Sequence, residues 1–198
     1  MTANAIIVHG MPGQAEFYDP DQPAPAHHHW LPWLANQLLV RGVLAQTPQM
    51  PDAFRPDYAA WSREFERFEV TPETYLAGHS CGAGFLTRWL SEHPAARPRA
   101  VLLVAPFLDP TGLRAPNMFG GFTLDPGFAG RAGGVAILHS DDDGTDIQRS
   151  VAILRAALPT VRYAEVPARG HLADGPGTAL PEALPLLGLD GRSPIAPE

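Results

Sequence analysis

The sequence has little of three features that mark secreted and membrane proteins. Its 198 residues include one cysteine, Cys81, so no internal disulfide can form, which is typical of a reducing compartment. No apolar run approaches the roughly 18 to 20 residues that cross a bilayer. Residues 1–10 carry no basic segment ahead of an apolar one, so we expect no signal peptide. These absences together predict a cytoplasmic protein that does not insert into a membrane.

Basic residues are also scarce. The chain has 14 Lys and Arg against 21 Asp and Glu, which gives a formal net charge of -7. This balance disfavours binding to nucleic acid or to an anionic membrane, so neither is expected as a partner. With 45% hydrophobic residues the chain can form a core. Its length suits one domain, 1–198, of which residues 188–198 are expected to form a loose tail.

Short apolar runs alternate with segments of helical periodicity along the chain. The predicted strands are residues 5–8, 43–47, 74–77, 100–105, 134–139 and 161–166. Predicted helices cover residues 30–39, 58–68, 83–93, 147–158 and 179–187, while residues 11–29 and 107–133 are expected to be irregular. Alternation of this kind predicts a mostly parallel sheet of about six strands with helices on both faces.

One stretch has the pattern of a strand that turns sharply into a helix. After the apolar residues 74–77, Gly78-His79-Ser80-Cys81-Gly82 has the form G-x-S-x-G, and residues 83–90 continue as a helix. Such a turn presents its central side chain at the carboxyl edge of the sheet, and its glycines let strand and helix pass closely. It is the nucleophile elbow of an α/β-hydrolase, and Ser80 is the predicted nucleophile.

A serine nucleophile needs a base and an orienting acid, which in this fold follow it in the order acid, then His. Asp141, Asp142 and Asp143 follow one predicted strand, and His171 follows the next. Both positions lie past the carboxyl ends of strands, where open α/β sheets bind ligands. His171 is therefore the predicted base. We favour Asp143 as the acid because Gly144 turns the chain after it, and Asp142 is the alternative.

The oxyanion hole requires two backbone N–H groups aimed at the developing negative charge. One is expected from Cys81, directly after the nucleophile, and the other from Met11, beyond the glycine that ends the first strand. Cys81 itself lacks the central position of the elbow, so it is not the expected nucleophile. Gly10 permits close approach of the backbone to substrate and is a candidate pocket residue.

Eight histidines invite a metal-site interpretation, most of all His27-His28-His29. Consecutive loop residues rarely converge on one ion, and no cysteine or glutamate cluster with zinc-site spacing accompanies them. We expect no metal here, and instead a solvated loop or an edge of the cleft. His79 and His9 are expected to be packed or hydrogen-bonded beneath the site.

Several of these elements together resemble the retinoblastoma-binding protein 9 and YdeN family of small α/β-hydrolases. The resemblance extends to about residue 187. The matching stretches are Ile7-Val8-His9-Gly10, His29-Trp30-Leu31-Pro32-Trp33-Leu34, Pro48-Gln49-Met50-Pro51, Trp61, Gly78-His79-Ser80, Val104-Ala105-Pro106-Phe107, residues 140–143 and Gly170-His171. The family has Asp-Asp-Pro where this chain has Asp142-Asp143-Gly144, and segment 11–28 is longer and richer in proline here.

The resemblance implies a cofactor-free cytosolic hydrolase with a reduced sheet, little or no cap domain, and a Ser80–Asp143–His171 triad. The expected activity is that of a carboxylesterase-like enzyme of class EC 3.1, which cleaves a small ester, or else an amide or thioester. Trp30, Phe107 and Phe122 are candidates for the substrate pocket, with ordinary core packing as the alternative for each. The competing interpretation is a catalytically weak protein that keeps this fold for binding or interaction.

Overall fold

The short apolar runs form one parallel β-sheet in the computed structural model, which describes residues 3–190. The six strands are β1 (Asn4–Val8), β2 (Leu44–Gln46), β3 (Thr74–His79), β4 (Ala100–Val104), β5 (Val135–Ser140) and β6 (Arg162–Val166). They lie in the order β2-β1-β3-β4-β5-β6, and every neighbouring pair is parallel. The predicted α/β fold with six parallel strands is confirmed.

Helices occupy the connections between the strands. Within the described residues they are α1 (Gln14–Phe17), α2 (Leu31–Leu39), α3 (Tyr58–Phe65), α4 (Cys81–Glu92), α5 (Pro116–Phe119), α6 (Phe128–Arg131), α7 (Thr145–Ala157) and α8 (Ala183–Leu186). A single 3₁₀ turn, Pro25–His27, precedes α2. The connection between β4 and β5 contains only the two four-residue helices α5 and α6, so the fold has little cap over the sheet, as the resemblance implies.

The strand order changes direction between β1 and β3. From β1 the chain moves outward to β2, then returns past β1 to β3 and continues in the opposite direction. The loops that leave β1 and β3 therefore diverge above neighbouring strands, whose register pairs Val8 with Gly78. Ligands of open α/β sheets bind at such a switch point, so the fold alone places a crevice beside the Ser80 turn.

Burial explains which strands were easiest to predict. Every residue of β3, β4 and β5 is buried, as expected for central parallel strands covered on both faces. The edge strands β2 and β6 each have one side without a neighbour and are only partly buried. The elbow is thus attached to one of the most deeply buried strands of the sheet.

Aromatic rings anchor the helix that follows the elbow. Phe85 of α4 contacts Trp61 and Phe65 of α3, with ring centroids 5.7 and 5.4 Å apart, and Phe65 also contacts Trp89 at 4.9 Å. Edge-on ring pairs of this kind contribute about 0.5–1.5 kcal/mol each beyond their buried area. Helix α4 therefore has little freedom to move relative to the sheet.

Two predictions about the carboxyl-terminal part need correction. The predicted helix 179–187 is reduced to α8 because Pro181 and Pro185 remove backbone donors, and Gly188 then turns the chain. The predicted tail 188–198 does not begin at residue 188, since Leu189 is buried and its N–H bonds the Leu184 carbonyl at 2.8 Å. Residues 191–198 lie outside the described residues.

None of the helices described between residues 3 and 190 could cross a bilayer. The longest, α7, has 13 residues, and a spanning helix needs about 20.

Candidate active site

Ser80 occupies a strained turn between β3 and α4. Its backbone has φ 54° and ψ -118°, in the region that side-chain-bearing residues rarely adopt. The surrounding backbone holds this conformation: the Ser80 N–H donates to the Val104 carbonyl at 2.9 Å, and the Ser80 carbonyl accepts from Phe107 N–H at 3.1 Å. The turn leaves the Ser80 side chain partly exposed at the carboxyl edge of the sheet.

Two glycines make this close approach of strand and helix possible. A Cβ at Gly78 would lie 2.6 Å from the backbone nitrogen of Ala83, and one at Gly82 would lie 2.4 Å from the carbonyl oxygens of both Val8 and His9. These neighbours are backbone atoms of packed elements, so moving them aside would cost considerable free energy. The absence of side chains here brings the start of α4 against the end of β1.

His171 and Asp143 form a hydrogen-bonded pair in the loops after β6 and β5. The His171 Nδ1–H donates to both oxygens of the Asp143 carboxylate, at 3.0 and 2.9 Å. The Asp143 side chain is 4% exposed, while that of His171 is 35% exposed. Because the carboxylate only accepts, the proton of neutral His171 lies on Nδ1, and Nε2 keeps a lone pair. Of the two aspartates left open by the sequence, Asp143 is the one bonded to His171.

The other two aspartates of this run connect the loops that carry the pair. Asp141 accepts the Ala168 N–H at 2.8 Å, and Asp142 accepts the Gly170 N–H at 2.8 Å and the Ser140 hydroxyl at 2.6 Å. The Ser140 bond and the Gly170 bond lower the pKa of Asp142 below the usual range for a carboxyl. Three consecutive aspartates thus have three different partners, and two of them hold the backbone that leads to His171.

His79 lies directly against His171, so the prediction that it sits beneath the site needs one refinement. It is buried, and its Nε2–H donates to the His171 carbonyl at 2.9 Å. Its ring centroid is 4.9 Å from that of His171, and the side chain also lines the cleft beside Ser80. Burial, with the neighbouring His171, keeps the pKa of His79 well below its ordinary value. A neutral His79 therefore holds the backbone of the proposed base.

His9 is the second buried histidine near Ser80. The Met50 N–H donates to its Nε2 at 2.9 Å, and its Nδ1–H donates to the Gly10 carbonyl at 2.7 Å. Burial lowers the pKa of His9 to about 4. Both ring nitrogens are thus satisfied by a single neutral tautomer.

Because His9 and His79 are buried in the neutral form, we predict that the protein loses stability in mild acid. In the unfolded chain both take up protons below about pH 6.5, whereas folding keeps them neutral, so the free energy of unfolding falls as the pH drops from 6.5 towards 4. His9 alone accounts for about 3 kcal/mol across that interval. Urea unfolding at a series of pH values between 7 and 4.5 measures the slope. A His9→Asn variant should have a shallower slope, and an equal slope in both proteins would contradict this account.

Two cavities meet at Ser80. The first has a volume of about 320 Å³ and is lined by Ser80 and His171 together with Glu16, His28 and His29. The second has a volume of about 410 Å³ and adds Phe107, Arg114 and Ile147 to Ser80 and His171. Met11 lies at the wall of both. Ser80 and His171 thus lie between the two cavities. Both residues are among those described, and no direct hydrogen bond joins their side chains.

The predicted pocket residues divide into two groups. Gly10 lines the first cavity and Phe107 the second. Trp30 and Phe122 line neither: Trp30 is 2% exposed and packs edge-on against His79, and Phe122 packs against the core. These contacts favour the alternative of core packing for both, and their assignment to the substrate pocket stays a prediction.

Three cavity residues that the sequence did not predict come from the connections that follow strands. Glu16, Arg114 and Ile147 line the cavities, and their position beyond the carboxyl ends of β1, β4 and β5 was the available signal. His28 and His29 lie at the cleft, one of the two outcomes expected for that histidine run. No group of three or more potential metal-ligating side chains is found within residues 3–190.

The thiol of Cys81 is expected to be unreactive in the folded protein. Its side chain is fully buried, and this burial raises the pKa of the thiol far above its ordinary value. Alkylation needs both access and thiolate, so iodoacetamide should modify native Cys81 at least about 100-fold more slowly than the urea-unfolded chain. Mass spectrometry of the alkylated protein measures both rates. Rapid modification of the native form would contradict this and make Cys81 a candidate nucleophile again.

Comparison with known protein families gives one match over most of the chain. The sequence model described as serine hydrolase matches residues 22–187. YdeN of Bacillus subtilis (strain 168), a protein named as a hydrolase, is 32% identical over 111 residues. That alignment covers 54% of this chain and 52% of YdeN, so it spans about half the length of the relative.

Solved structures extend the likeness to most of the chain. The crystal structure of the ydeN gene product from B. subtilis superposes with a TM-score of 0.69 at 25% identity, covering 86% of this chain and 88% of that one. Est1E from Butyrivibrio proteoclasticus superposes with a TM-score of 0.58 at 15% identity, covering 87% and 81%. The second likeness concerns the fold alone.

Proposed function

Because the chain belongs to the serine hydrolase family, we propose that it cleaves a small carboxylic ester through an acyl-enzyme on Ser80. The observation that carries this proposal is the Asp143–His171 pair, whose lone-paired Nε2 belongs to a ring that shares both cavities with Ser80. The family supports hydrolysis in general. The ester substrate and the role of each residue are our proposals.

Acylation begins when Ser80 Oγ attacks the carbonyl carbon of the ester. His171 Nε2 accepts the hydroxyl proton and returns it to the leaving alcohol as the tetrahedral intermediate collapses. The buried Asp143 carboxylate holds the ring in the tautomer that can accept this proton, and it stabilises the imidazolium that forms. Water, activated by the same His171 nitrogen, then releases the carboxylic acid and regenerates Ser80. Hydrogen bonds between nucleophile and base are often long without substrate and shorten when it binds.

Two backbone N–H groups are proposed to stabilise the developing oxyanion. The Cys81 amide opens α4, where the first N–H groups have no partner within the helix and form the positive end of the helix dipole. The Met11 amide approaches from the loop after β1, and Met11 lines both cavities beside Ser80. Donors of this kind are worth about 10²–10³-fold each in kcat.

The size of the cavities supports a small substrate. At about 320 and 410 Å³ they lie at the lower end of the roughly 300–1,000 Å³ typical of ligand sites. The second contains Phe107 and Ile147, which suit a short apolar acyl group, together with the charged Arg114 and Asp146. The first contains Glu16, His28 and His29 and suits a polar leaving alcohol. Nucleophile, base and acid are all protein groups, so the proposed reaction needs no metal or cofactor.

The single buried thiol and the absence of any possible internal disulfide support a cytoplasmic location, which we also propose. A displaced acid, or a cleft blocked by segment 11–28, would favour the competing scaffold interpretation. Here the acid contacts His171, and that segment contributes walls to an open cavity. We therefore prefer the enzyme.

A panel of p-nitrophenyl esters of increasing acyl length tests the proposal. The folded protein should hydrolyse the short acyl esters fastest, and it should react covalently with a fluorophosphonate probe. Tryptic mapping of the labelled protein should place the probe on the peptide that contains Ser80. Folded protein that neither labels nor hydrolyses any ester would overturn the hydrolase proposal and favour the scaffold.

A further inference from the structure

The proposed reaction leaves two sequence motifs without a role, His9-Gly10 and Pro48-Gln49-Met50-Pro51. The structure joins them. The backbone N–H of Met50 donates to His9 Nε2 at 2.9 Å, so this nitrogen must carry the lone pair. The proton of the neutral ring then lies on Nδ1, from which it is donated to the Gly10 carbonyl at 2.7 Å. Met50 therefore selects the tautomer that His9 uses towards Gly10.

The Gly10 carbonyl and the Met11 N–H belong to the same peptide unit. A peptide is planar, and in the trans form its C=O and N–H point in opposite directions. The described residues contain no cis peptide bond. A hydrogen bond that holds the Gly10 oxygen on the His9 side consequently turns the Met11 N–H away from His9.

This peptide lies beside the nucleophile. Gly10 and Met11 both line the cavity that contains Ser80, and a Cβ placed on Gly10 would lie 3.2 Å from the Ser80 Cβ. If the peptide rotated about its long axis, the Gly10 carbonyl would replace the Met11 N–H at this position. A carbonyl oxygen there would repel the oxyanion that the amide is proposed to stabilise.

We propose that His9 is a positioning residue that aims the Met11 N–H at the oxyanion by holding the Gly10 carbonyl, with Met50 fixing the His9 tautomer. The proposal rests on the esterase function proposed above, and it assigns to His9 no contact with substrate.

Packing makes His9 a firm support for this bond. The side chain is 1% exposed, and its ring meets Trp61 edge-on at a centroid distance of 5.7 Å. The His9 carbonyl lies against Gly82 of α4, where an added Cβ would come within 2.4 Å. The end of β1, the start of α4 and the loop that carries Met50 are thus all fixed relative to the His9 ring, which orients the Gly10–Met11 peptide.

A matched pair of variants separates the two hydrogen bonds. The side-chain amide of Asn reaches the place of Nδ1, so His9→Asn keeps a donor for the Gly10 carbonyl and loses the acceptor for Met50. The longer Gln reaches the place of Nε2, so His9→Gln keeps the acceptor for Met50 and loses the donor to Gly10. Both variants bury the same amide group at the same position, which controls for the polarity of the substitution.

We expect His9→Gln to lower kcat by about 10- to 100-fold, part of the loss that follows removal of an oxyanion donor, with KM changed by less than about threefold. His9→Asn should stay within about fivefold of wild type in kcat. A boronic acid inhibitor, whose tetrahedral adduct places an oxygen in the oxyanion hole, should lose affinity for His9→Gln by the same factor as kcat/KM. Thermal unfolding of both variants reports any loss of stability separately.

The outcomes distinguish this proposal from the one it rests on. If wild type hydrolyses no ester, the esterase proposal fails. If wild type is active but His9→Gln keeps its kcat, or both variants lose activity in step with stability, the positioning role is overturned. A measurement without substitution adds a second test: ¹⁵N NMR of the imidazoles should find His9 protonated on Nδ1 and not on Nε2 between pH 5 and 8, and the opposite tautomer would overturn the proposal.

Discussion

Ser80→Ala should abolish covalent labelling by a fluorophosphonate probe and lower kcat for p-nitrophenyl esters by about 10⁶-fold, the scale seen when a serine hydrolase loses its nucleophile. The substitution removes the atom that forms the acyl-enzyme, while the cavity, His171 and the backbone donors remain. KM for any residual reaction should change little, because the walls of both cavities are intact.

A serine on the same helix supplies the control. Ser91 lies in α4, and its hydroxyl donates to the Thr87 carbonyl within the helix at 2.8 Å. Ser91→Ala should therefore label and turn over as wild type does. Labelling that persists in Ser80→Ala, or that disappears in Ser91→Ala, would show that the reactive serine is not the one at the elbow.

The strained backbone at Ser80 leads to a further prediction, which concerns the stability of Ser80 variants. Because φ is 54°, a Cβ is unfavourable at this position, whereas glycine adopts such a conformation freely. Ser80→Gly should be as inactive as Ser80→Ala, yet more stable than Ser80→Ala by about 1 kcal/mol in urea unfolding. A glycine variant less stable than the alanine variant would show that the turn is not strained.

The fold and the elbow were predictable because they are encoded locally. Four central strands are short apolar runs, and two glycines flank the serine at a fixed spacing. The side-chain partners of the aspartates were not predictable, because adjacent residues in one turn point in different directions. Asp142 accepts a hydrogen bond from Gly170 and Asp143 accepts one from His171. Only the path of the loop after β6 determines which aspartate contacts His171.

The surroundings of the aromatic side chains were likewise not predictable from the local sequence. Phe107 and Trp30 are both large apolar residues and both are 2% exposed, but Phe107 lines a cavity whereas Trp30 packs against His79. The cleft wall also depends on contacts between distant parts of the chain, such as His29 Nδ1 with the Asp174 carbonyl at 3.0 Å. A local pattern does not contain such contacts.

Asp143→Asn should lower kcat by about 10⁴-fold while leaving the fold intact. An asparagine amide can present an N–H to the ring, in which case the His171 proton moves to Nε2 and the lone pair needed to deprotonate Ser80 is lost. The substitution also removes the buried negative charge that stabilises the imidazolium. Steady-state kinetics with the best ester of the panel measure the loss, and circular dichroism checks the fold.

Asp142→Asn is the matched control, because it makes the same chemical change one residue earlier. Its Oδ1 position can still accept the Gly170 N–H and the Ser140 hydroxyl, so the loop should persist with reduced stability and kcat should stay within about tenfold of wild type. If Asp142→Asn proved the more damaging of the two, the acid of the triad would be Asp142. The structure argues for the other order, since both oxygens of Asp143 lie within 3.0 Å of His171 Nδ1, and Asp142 faces the backbone.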